Sequence, residues 1–293
     1  MKKYPKFSII IPTYNSQFFI ATTLKAINNQ KYPKEFIEII IVDNNSQDNT
    51  IMIAKKYGAS VFKQKGQPPQ VCQQRNLGAD KAHGDYLFFM DHDMELTPYF
   101  LLNLAKKIVD NKNGIDAWYV LEKVMSNNSL FGSIRSFEKN MYSETPVGAV
   151  RIIKKNKFNQ TDDKYDISLS STNADWDMDL QLRLINCNFS TTPDYLIHHE
   201  ENLSLSQYLF KKVKYINSAV VYKEKWFKKD TLMYNNYVKS KQFSYYYRVF
   251  GVFVEKGKWK KLIKNFHLYL GWLLVSMLMM FVYLINKFNN HEK

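Results

Sequence analysis

Over the first 200 residues of this 293-residue chain, short apolar runs alternate with longer amphipathic ones, the rhythm of strand–helix units. Phe7–Ile11 and Ile37–Val42 are runs rich in β-branched residues, suited to strands buried in a parallel sheet. Between them, Phe18–Gln30 has the spacing of a helix. Val61–Phe62, Tyr86–Met90, Ala117–Leu121 and Val147–Ile153 read as further strands. Gln70–Lys81, Pro98–Val109 and Trp176–Ile185 read as helices, the second with Thr97 as its N-cap and Pro98 in its first position. From about Leu205 the pattern changes to basic, tyrosine-rich helices over Leu205–Tyr222, Thr231–Phe250 and from Trp259 onward. The expected division is therefore an α/β domain over 1–204, a basic helical region over 205–264 and an apolar helix with a short tail over 265–293.

A hydrophobic content of 45% and an aromatic content of 15% support a packed core rather than a disordered chain. Two cysteines, Cys72 and Cys187, are too few for a disulfide framework and read as reduced thiols in a cytoplasmic compartment. The apolar run at the start stops at Pro12, too short for a signal-peptide core. Charge changes the picture once it is located. Residues 1–204 are nearly neutral at +1, whereas 205–264 carry +12 of the total +14. Such a stretch faces nucleic acid or an anionic membrane. The segment after it favours the membrane: no charge occurs from Asn265 to Asn286, and Leu268–Ile285 is a run of 18 apolar or small residues. As a helix it is about 27 Å long, close to a bilayer's hydrocarbon thickness. Tyr269, Trp272 and Tyr283 lie towards its ends, and Lys256, Lys258, Lys260, Lys261 and Lys264 precede it. A membrane-spanning helix is expected, with residues 1–204 held on the cytoplasmic side by the positive-inside rule, an anionic membrane surface as partner, and no nucleic acid.

Four polar stretches fall where an α/β sheet presents ligands, at the carboxyl ends of its strands. Pro12-Thr13-Tyr14-Asn15 comes directly after the first strand, and Asp43 opens the polar run after the second. Each alone also fits ordinary turn and capping chemistry. The third is sharper: Tyr86–Met90 drives a strand into the core, and its end exposes Asp91 and Asp93 around His92. Alternate strand positions share a face, so the two carboxylates can converge, and hard oxygen ligands suit Mg²⁺ or Mn²⁺ bridging a diphosphate. In the fourth, Asp175 opens a helix, where it is either a cap or a fixed general base.

Taken together, SIIIPTYN, VDNNSQDNT, QQRNLGADKAHGDYLFFMDHD and NADWDMDLQLRL resemble the successive signatures of the family 2 glycosyltransferases over about residues 7–200. The resemblance implies a GT-A fold, a nucleotide-diphospho-sugar-binding α/β domain with a Rossmann-like mixed sheet flanked by helices. A C-terminal helical membrane-attachment region would come after it. It implies donor-binding roles for Pro12, Thr13, Asn15, Asp43, Arg75 and Asp91. Metal ligation falls to Asp93 with Asp91, completed by His198 or His199, and the catalytic base is Asp175. The family's base normally comes after a Glu, here replaced by Ala174, which removes its usual electrostatic neighbour. The stretches from Arg135 to Tyr142, from Val147 to Arg151 and Ile197-His198-His199-Glu200 resemble a membrane-associated branch. Arg135, Arg151 and Arg183 are candidates for phosphate contacts or for ordinary salt bridges. The activity so implied is metal-dependent, inverting transfer of a sugar from a nucleotide-diphosphate-sugar donor to a membrane-proximal, lipid-linked saccharide. The alternative is a polyprenyl-phosphate sugar synthase using the same donor site. A sugar-1-phosphate nucleotidyltransferase would want a glycine-rich loop after the first strand, and PTYNSQFF contains none.

Overall fold

The computed structural model describes residues 4–64, 70–110, 114–125, 129–200, 203–214 and 216–291, with side chains at 213–217 and beyond 282 outside that description. Eight strands form one mixed sheet: β1 (Phe7–Thr13), β2 (Ile37–Asp43), β3 (Ser60–Lys63), β4 (Tyr86–Phe89), β5 (Met94–Leu96), β6 (Ala117–Met125), β7 (Val150–Lys154) and β8 (Phe189–His199). Their spatial order is β3-β2-β1-β4-β7-β6-β8-β5. The β3-β2-β1-β4 part is parallel, and β7 then pairs antiparallel with both β4 and β6. Because β2 and β4 lie on opposite sides of β1, the connections diverge there and leave a crevice at the carboxyl ends of these strands.

The period-2 alternation of β1 and β2 sorts the helices. Phe7, Ile9, Ile11, Ile39 and Ile41 face α1 (Gln17–Asn28) and α4 (Phe100–Val109), in a cluster with Ile20, Leu24 and Leu104. The short α2 (Thr50–Lys56) adds Ala54 to it. Ile10, Ile40 and Val42 face the other way, towards α3 (Val71–Lys81), α5 (Leu130–Tyr142) and α7 (Ser171–Leu184), with the four-residue α6 (Lys155–Phe158) contributing Phe158. A Cβ on Gly78 of α3 would lie 2.4 Å from Ile10 Cγ2, so only glycine lets this helix approach β1 so closely. That approach brings the amino end of α3 over the strand ends, where the Gln74 amide donates to the carbonyls of Thr13 (2.9 Å) and Val42 (2.6 Å).

Several sequence expectations shift. The Pro98–Val109 helix begins at Phe100, and the Thr97 hydroxyl bonds the Tyr195 carbonyl instead of capping. The helix expected from Trp176 begins at Ser171, so Asp175 lies inside α7 rather than at its mouth. Beyond 205, the expected Leu205–Tyr222 helix is two helices, α8 (Leu205–Lys214) and α9 (Ile216–Lys229), with residue 215 outside the described residues. Thr231–Phe250 is largely π-helical, over Tyr234–Gln242 and Tyr247–Gly251. Tyr208, Tyr222, Trp226, Val238 and Trp272 join the same apolar cluster as α3, α5 and α7. Trp226 is fully buried, and its indole N–H donates to Asp177 at 2.8 Å.

Among the described residues no helix is long and apolar enough to cross a membrane, which corrects the spanning helix expected over Leu268–Ile285. The terminal helix, Phe266–His291, instead lies against α5 and α8. Tyr269, Trp272, Val275 and Ser276 recur at helical spacing and are buried, while Leu270, Leu274, Met277, Leu278 and Phe281 on its other faces are exposed. The run is apolar throughout because one face serves the core and the rest is open apolar surface. Gly271 sits at the contact, where a Cβ would lie 2.4 Å from Ile134 Cδ1. Gly271→Leu improves helix propensity yet is expected to destabilise the protein by about 1–3 kcal/mol in urea unfolding, through overpacking against Ile134. Unchanged or higher stability would contradict docking of this helix on α5.

Candidate active site

The crevice gathers side chains from four elements. After β1 and β2, Thr13 donates to Asp43 Oδ1 at 2.9 Å, and the Ser46 N–H donates to Asp43 Oδ2 at 2.8 Å. The turn is locked by Asn15, which takes a positive φ of 48°. Its N–H donates to Ser46 Oγ and its side-chain carbonyl accepts from the Gln47 N–H, both at 2.9 Å. Asp43 is fully buried at a strand end with its oxygens already bonded by this local network. Pro12, Thr13 and Asn15 thus lie beside Asp43 at the adjacent carboxyl ends of β1 and β2.

Arg75 is the centre of the site. Its guanidinium, 2% exposed, reaches Asp175 Oδ1 at 2.7 Å and Asp91 Oδ1 at 3.2 Å while lying 4.9 Å from the centre of the Tyr165 ring. Burial opposes its charge, but Asp175, Tyr165 and Asp91 hold it protonated. Arg151 on β7 holds the other oxygen of Asp91 at 3.3 Å and Glu122 at 2.7 Å. Burial would push the Asp91 carboxyl up, but Arg151 and then Arg75 bring it far below the usual carboxylate range. For Asp175, burial outweighs the same two arginines and leaves the carboxyl raised, the direction a general base needs. Ala174 is fully buried in the core, and the charged neighbours of Asp175 are Arg75, Arg151 and Asp91.

Asp93 faces His198 on β8. The Nε2–Oδ1 separation is 3.5 Å, too long for a good hydrogen bond, and Asp93 Oδ1 is buried with no donor. Nδ1 of His198 is engaged by Glu122 at 3.0 Å and Lys139 at 2.6 Å. His199 turns away, stacked on Phe19 with ring centres 5.7 Å apart and 3.3 Å from Glu95. A buried orphan carboxylate oxygen opposite an imidazole nitrogen, beside a second carboxylate, fits a divalent cation of the Mg²⁺ or Mn²⁺ kind, with Asp93, Asp91 and His198 to hold it.

Three carboxylates that cluster tightly enough for a metal among the described residues are elsewhere: Asp163, Asp166 and Asp177. An ammonium already fills that cluster, since Lys225 Nζ lies 2.9, 2.8 and 2.9 Å from them. Asp177 therefore ties α7 to α9 while Asp175 faces the site. Arg183 is likewise structural, paired with Asp179 at 2.7 Å and the Tyr119 hydroxyl at 2.8 Å. Arg135 pairs with Glu138 and lies 3.6 Å from Glu200. Glu122 is not among the residues the sequence points to. It sits mid-strand on β6, where one acidic residue inside an apolar run is the available signal, and it organises Arg151, Lys139 and His198. One cavity, of about 600 Å³, is lined by Tyr4, Asp85 and Lys154 at the amino ends of β1 and β4, away from all these residues.

The glycosyl transferase family 2 model matches residues 8–162, more than half of the chain. The poly(ribitol-phosphate) beta-N-acetylglucosaminyltransferase TarS of Staphylococcus aureus is 30% identical over 114 residues, covering 38% of this chain but only 20% of that protein. The GalNAc(5)-diNAcBac-PP-undecaprenol beta-1,3-glucosyltransferase of Campylobacter jejuni is 33% identical over 108 residues, 35% of this chain and 34% of that protein. Among solved structures, the mannosyltransferase PcManGT of Pyrobaculum calidifontis, in complex with GDP-Man and Mn²⁺, superposes with a TM-score of 0.64 at 14% identity, covering 98% of this chain and 88% of that one. TarS 1–349 with UDP-GlcNAc gives 0.52 at 20% identity, over 73% and 66%. These likenesses establish the architecture, a mixed sheet flanked by helices of the GT-A kind expected from sequence. With the strand-end motifs assembled on that architecture and the family model covering them, the chain belongs to glycosyl transferase family 2.

Proposed function

We propose that the chain transfers a sugar, with inversion, from a nucleotide-diphosphate-sugar donor to a hydroxyl of a membrane-proximal, lipid-linked saccharide. Residues 1–204 form the transferase domain, with 205–264 and 265–293 as its helical appendage. The observation that carries this reading is the buried Arg75 bridge, which joins the strand-end carboxylate Asp91 to Asp175 in one crevice. Thr13, Asn15 and Asp43, with Pro12, receive the nucleoside, and Arg75 and Asp91 orient the donor. Asp175 accepts the proton of the attacking hydroxyl as its oxygen bonds to the anomeric carbon and the bond from that carbon to the diphosphate breaks. Asp93, Asp91 and His198 would hold Mg²⁺ or Mn²⁺, which when bound offsets charge on the departing nucleoside diphosphate. The complexes of the structural neighbours with UDP-GlcNAc or with GDP-Man and Mn²⁺ support both the donor class and the metal.

A lipid-linked acceptor is supported by the undecaprenol in the name of the Campylobacter relative. An anionic membrane surface as partner is supported by the exposed face of the terminal helix, and the transferase domain would lie on the cytoplasmic side because that leaflet carries the anionic lipid. Trp259, Ile263 and Phe266 are exposed beside it, and Lys260, Lys261 and Lys264 sit among them. Apolar groups between lysines are what an interfacial helix presents to a leaflet. Lys258 does not contribute, because its ammonium is bonded to the carbonyls of Met141 and Ser143 at 2.6 and 2.9 Å. The polyprenyl-phosphate sugar synthase remains the second reading, since a lipid phosphate attacking the donor needs little base assistance.

Nucleoside diphosphate release from a panel of nucleotide sugars, by purified enzyme in detergent with Mn²⁺, tests the proposal. One donor is expected to turn over. Asp93→Asn should lower its turnover by roughly 10²-fold or more, with excess chelator having the same effect. Full turnover in chelator would overturn the metal assignment, and no release from any donor would overturn the reading itself. Asp175→Asn should lower kcat on the order of 10²–10⁴-fold with little change in donor affinity. Asp177→Asn should instead lower stability by about 2–3 kcal/mol, because it removes the one buried carboxylate among the three partners of Lys225 and the acceptor of the Trp226 and Gln181 hydrogen bonds. Insensitivity of kcat to Asp175→Asn would favour the synthase reading, and the reverse ranking of the two variants would contradict both assignments.

A further inference from the structure

Between α5, β7, α7 and α8 lies a second cavity, of about 170 Å³. Five cationic side chains line it (Arg135, Lys139, Arg151, Lys212, Arg248) against two carboxylates, Glu122 and Glu138, so its wall is positive in sum. How the partners are shared matters more than the sum. Glu122 is taken by Arg151 and Lys139, at 2.7 and 3.1 Å, and Glu138 is taken by Arg135. Among the described residues Lys212 and Arg248 have no carboxylate partner, and Arg248 Nε is buried with no acceptor. Aromatic faces hold the two cations: the Arg248 guanidinium lies 5.9 Å from the Tyr142 ring and 5.7 Å from Trp176, and Lys212 Nζ lies 5.2 Å from Tyr208. Ring faces position a cation but leave most of its N–H groups unbonded. Burial, then Arg135, Arg248 and Lys211, press the Lys212 ammonium well below the usual lysine range. An unpaired cation in such a place lowers stability, and an arriving anion relieves it.

The cavity adjoins the proposed base. Thr172 and Trp176, on either side of Asp175 in α7, both line it, as does Arg151, which also holds Asp91. None of Asp43, Arg75, Asp91, Asp93 or His198 lines it, and Arg151, bonded to Asp91, and Glu122 and Lys139, bonded to His198, stand between the cavity and the donor end of the crevice. We infer that the cavity binds a phosphate group carried by the acceptor, with Lys212 and Arg248 as its ligands, an inference that rests on the transferase reading above. The same anion is offered by a prenyl diphosphate and by a phosphodiester in a polyol-phosphate chain.

Inorganic pyrophosphate, titrated calorimetrically into the full chain in EDTA, is the probe, since EDTA removes any contribution from a metal at Asp93. Wild type should bind it, and Lys212→Met with Arg248→Met should bind about tenfold or more weakly, the loss of two charge-assisted contacts. Lys212→Met alone should keep or raise the melting temperature, because it removes an unpaired cation. A purely structural lysine would lower it. Farnesyl diphosphate and a ribitol-phosphate trimer are then used as competitors, and the one that displaces pyrophosphate identifies the source of the phosphate. No binding by wild type, equal binding by the double variant, or displacement by neither competitor overturns the inference. Acceptor-free release of nucleoside diphosphate, measured on the same preparation, tests the transferase reading separately. Release without pyrophosphate binding therefore rejects this inference alone.

Discussion

A guanidinium enclosed to 2% exposure needs its charge answered, and the crevice meets that demand for Arg75 with Asp91, Asp175 and the Tyr165 ring, leaving only its Nε buried without an acceptor. The two carboxylates that meet it come from distant parts of the chain, 16 and 100 residues along. Satisfying one buried charge therefore fixes the end of β4 against the second turn of α7. Gly78 makes the placement possible by letting α3 lie on β1, and Gln74 pins the amino end of that helix to the carbonyls of Thr13 and Val42. The arginine then acts unequally on its partners. Asp91, with Arg151 on its other oxygen, is held ionised, whereas burial prevails at Asp175 and raises its affinity for a proton. Two carboxylates sharing one arginine are in this way separated into an orienting group and a proton acceptor.

Helix α7 carries a second charge problem one residue beyond the tryptophan next to Asp175. Asp177 is fully buried and is satisfied by Lys225, Trp226 and Gln181. The residues from 205 onward are therefore more than an appendage with a separate surface role. Their aromatic side chains complete the apolar cluster behind α7, and Lys225 supplies the countercharge for an aspartate in the transferase domain. Part of the +12 of the 205–264 segment is paired with carboxylates of the transferase domain, Lys225 with Asp163, Asp166 and Asp177 and Lys229 with Asp162.

How much of the fold and the site is legible in the sequence depends on how local each signal is. β1, β2 and β4 announce themselves because strands buried on both faces are continuous apolar runs, and a polar residue at their carboxyl end marks the crevice. Thr13, Asp43, Asp91 and Asp93 are legible in that way, and Arg75 through the family resemblance. The start of α7 is not, because Ser171-Thr172-Asn173 lacks apolar periodicity, and the helix is held there by tertiary contacts. Glu122 and the pairing of His198 with Asp93 depend on β6, β8 and β5 meeting in the sheet, which no local pattern encodes. The apolar run of the terminal helix misleads for a related reason. Composition reports that both faces are apolar, and only the fold reports that Trp272 and Val275 face α5.

The coupling between Arg75 and Asp175 tests this account most directly. A double-mutant cycle on urea unfolding, with Arg75→Met, Asp175→Asn and the two combined, separates their interaction from their individual roles. The account predicts that the double variant is less destabilised than the sum of the single ones, by roughly 1–3 kcal/mol, because each single change leaves the other charge buried without its partner. Additive effects, within about 0.5 kcal/mol, would mean that the two groups do not depend on one another, and would contradict a crevice organised around Arg75.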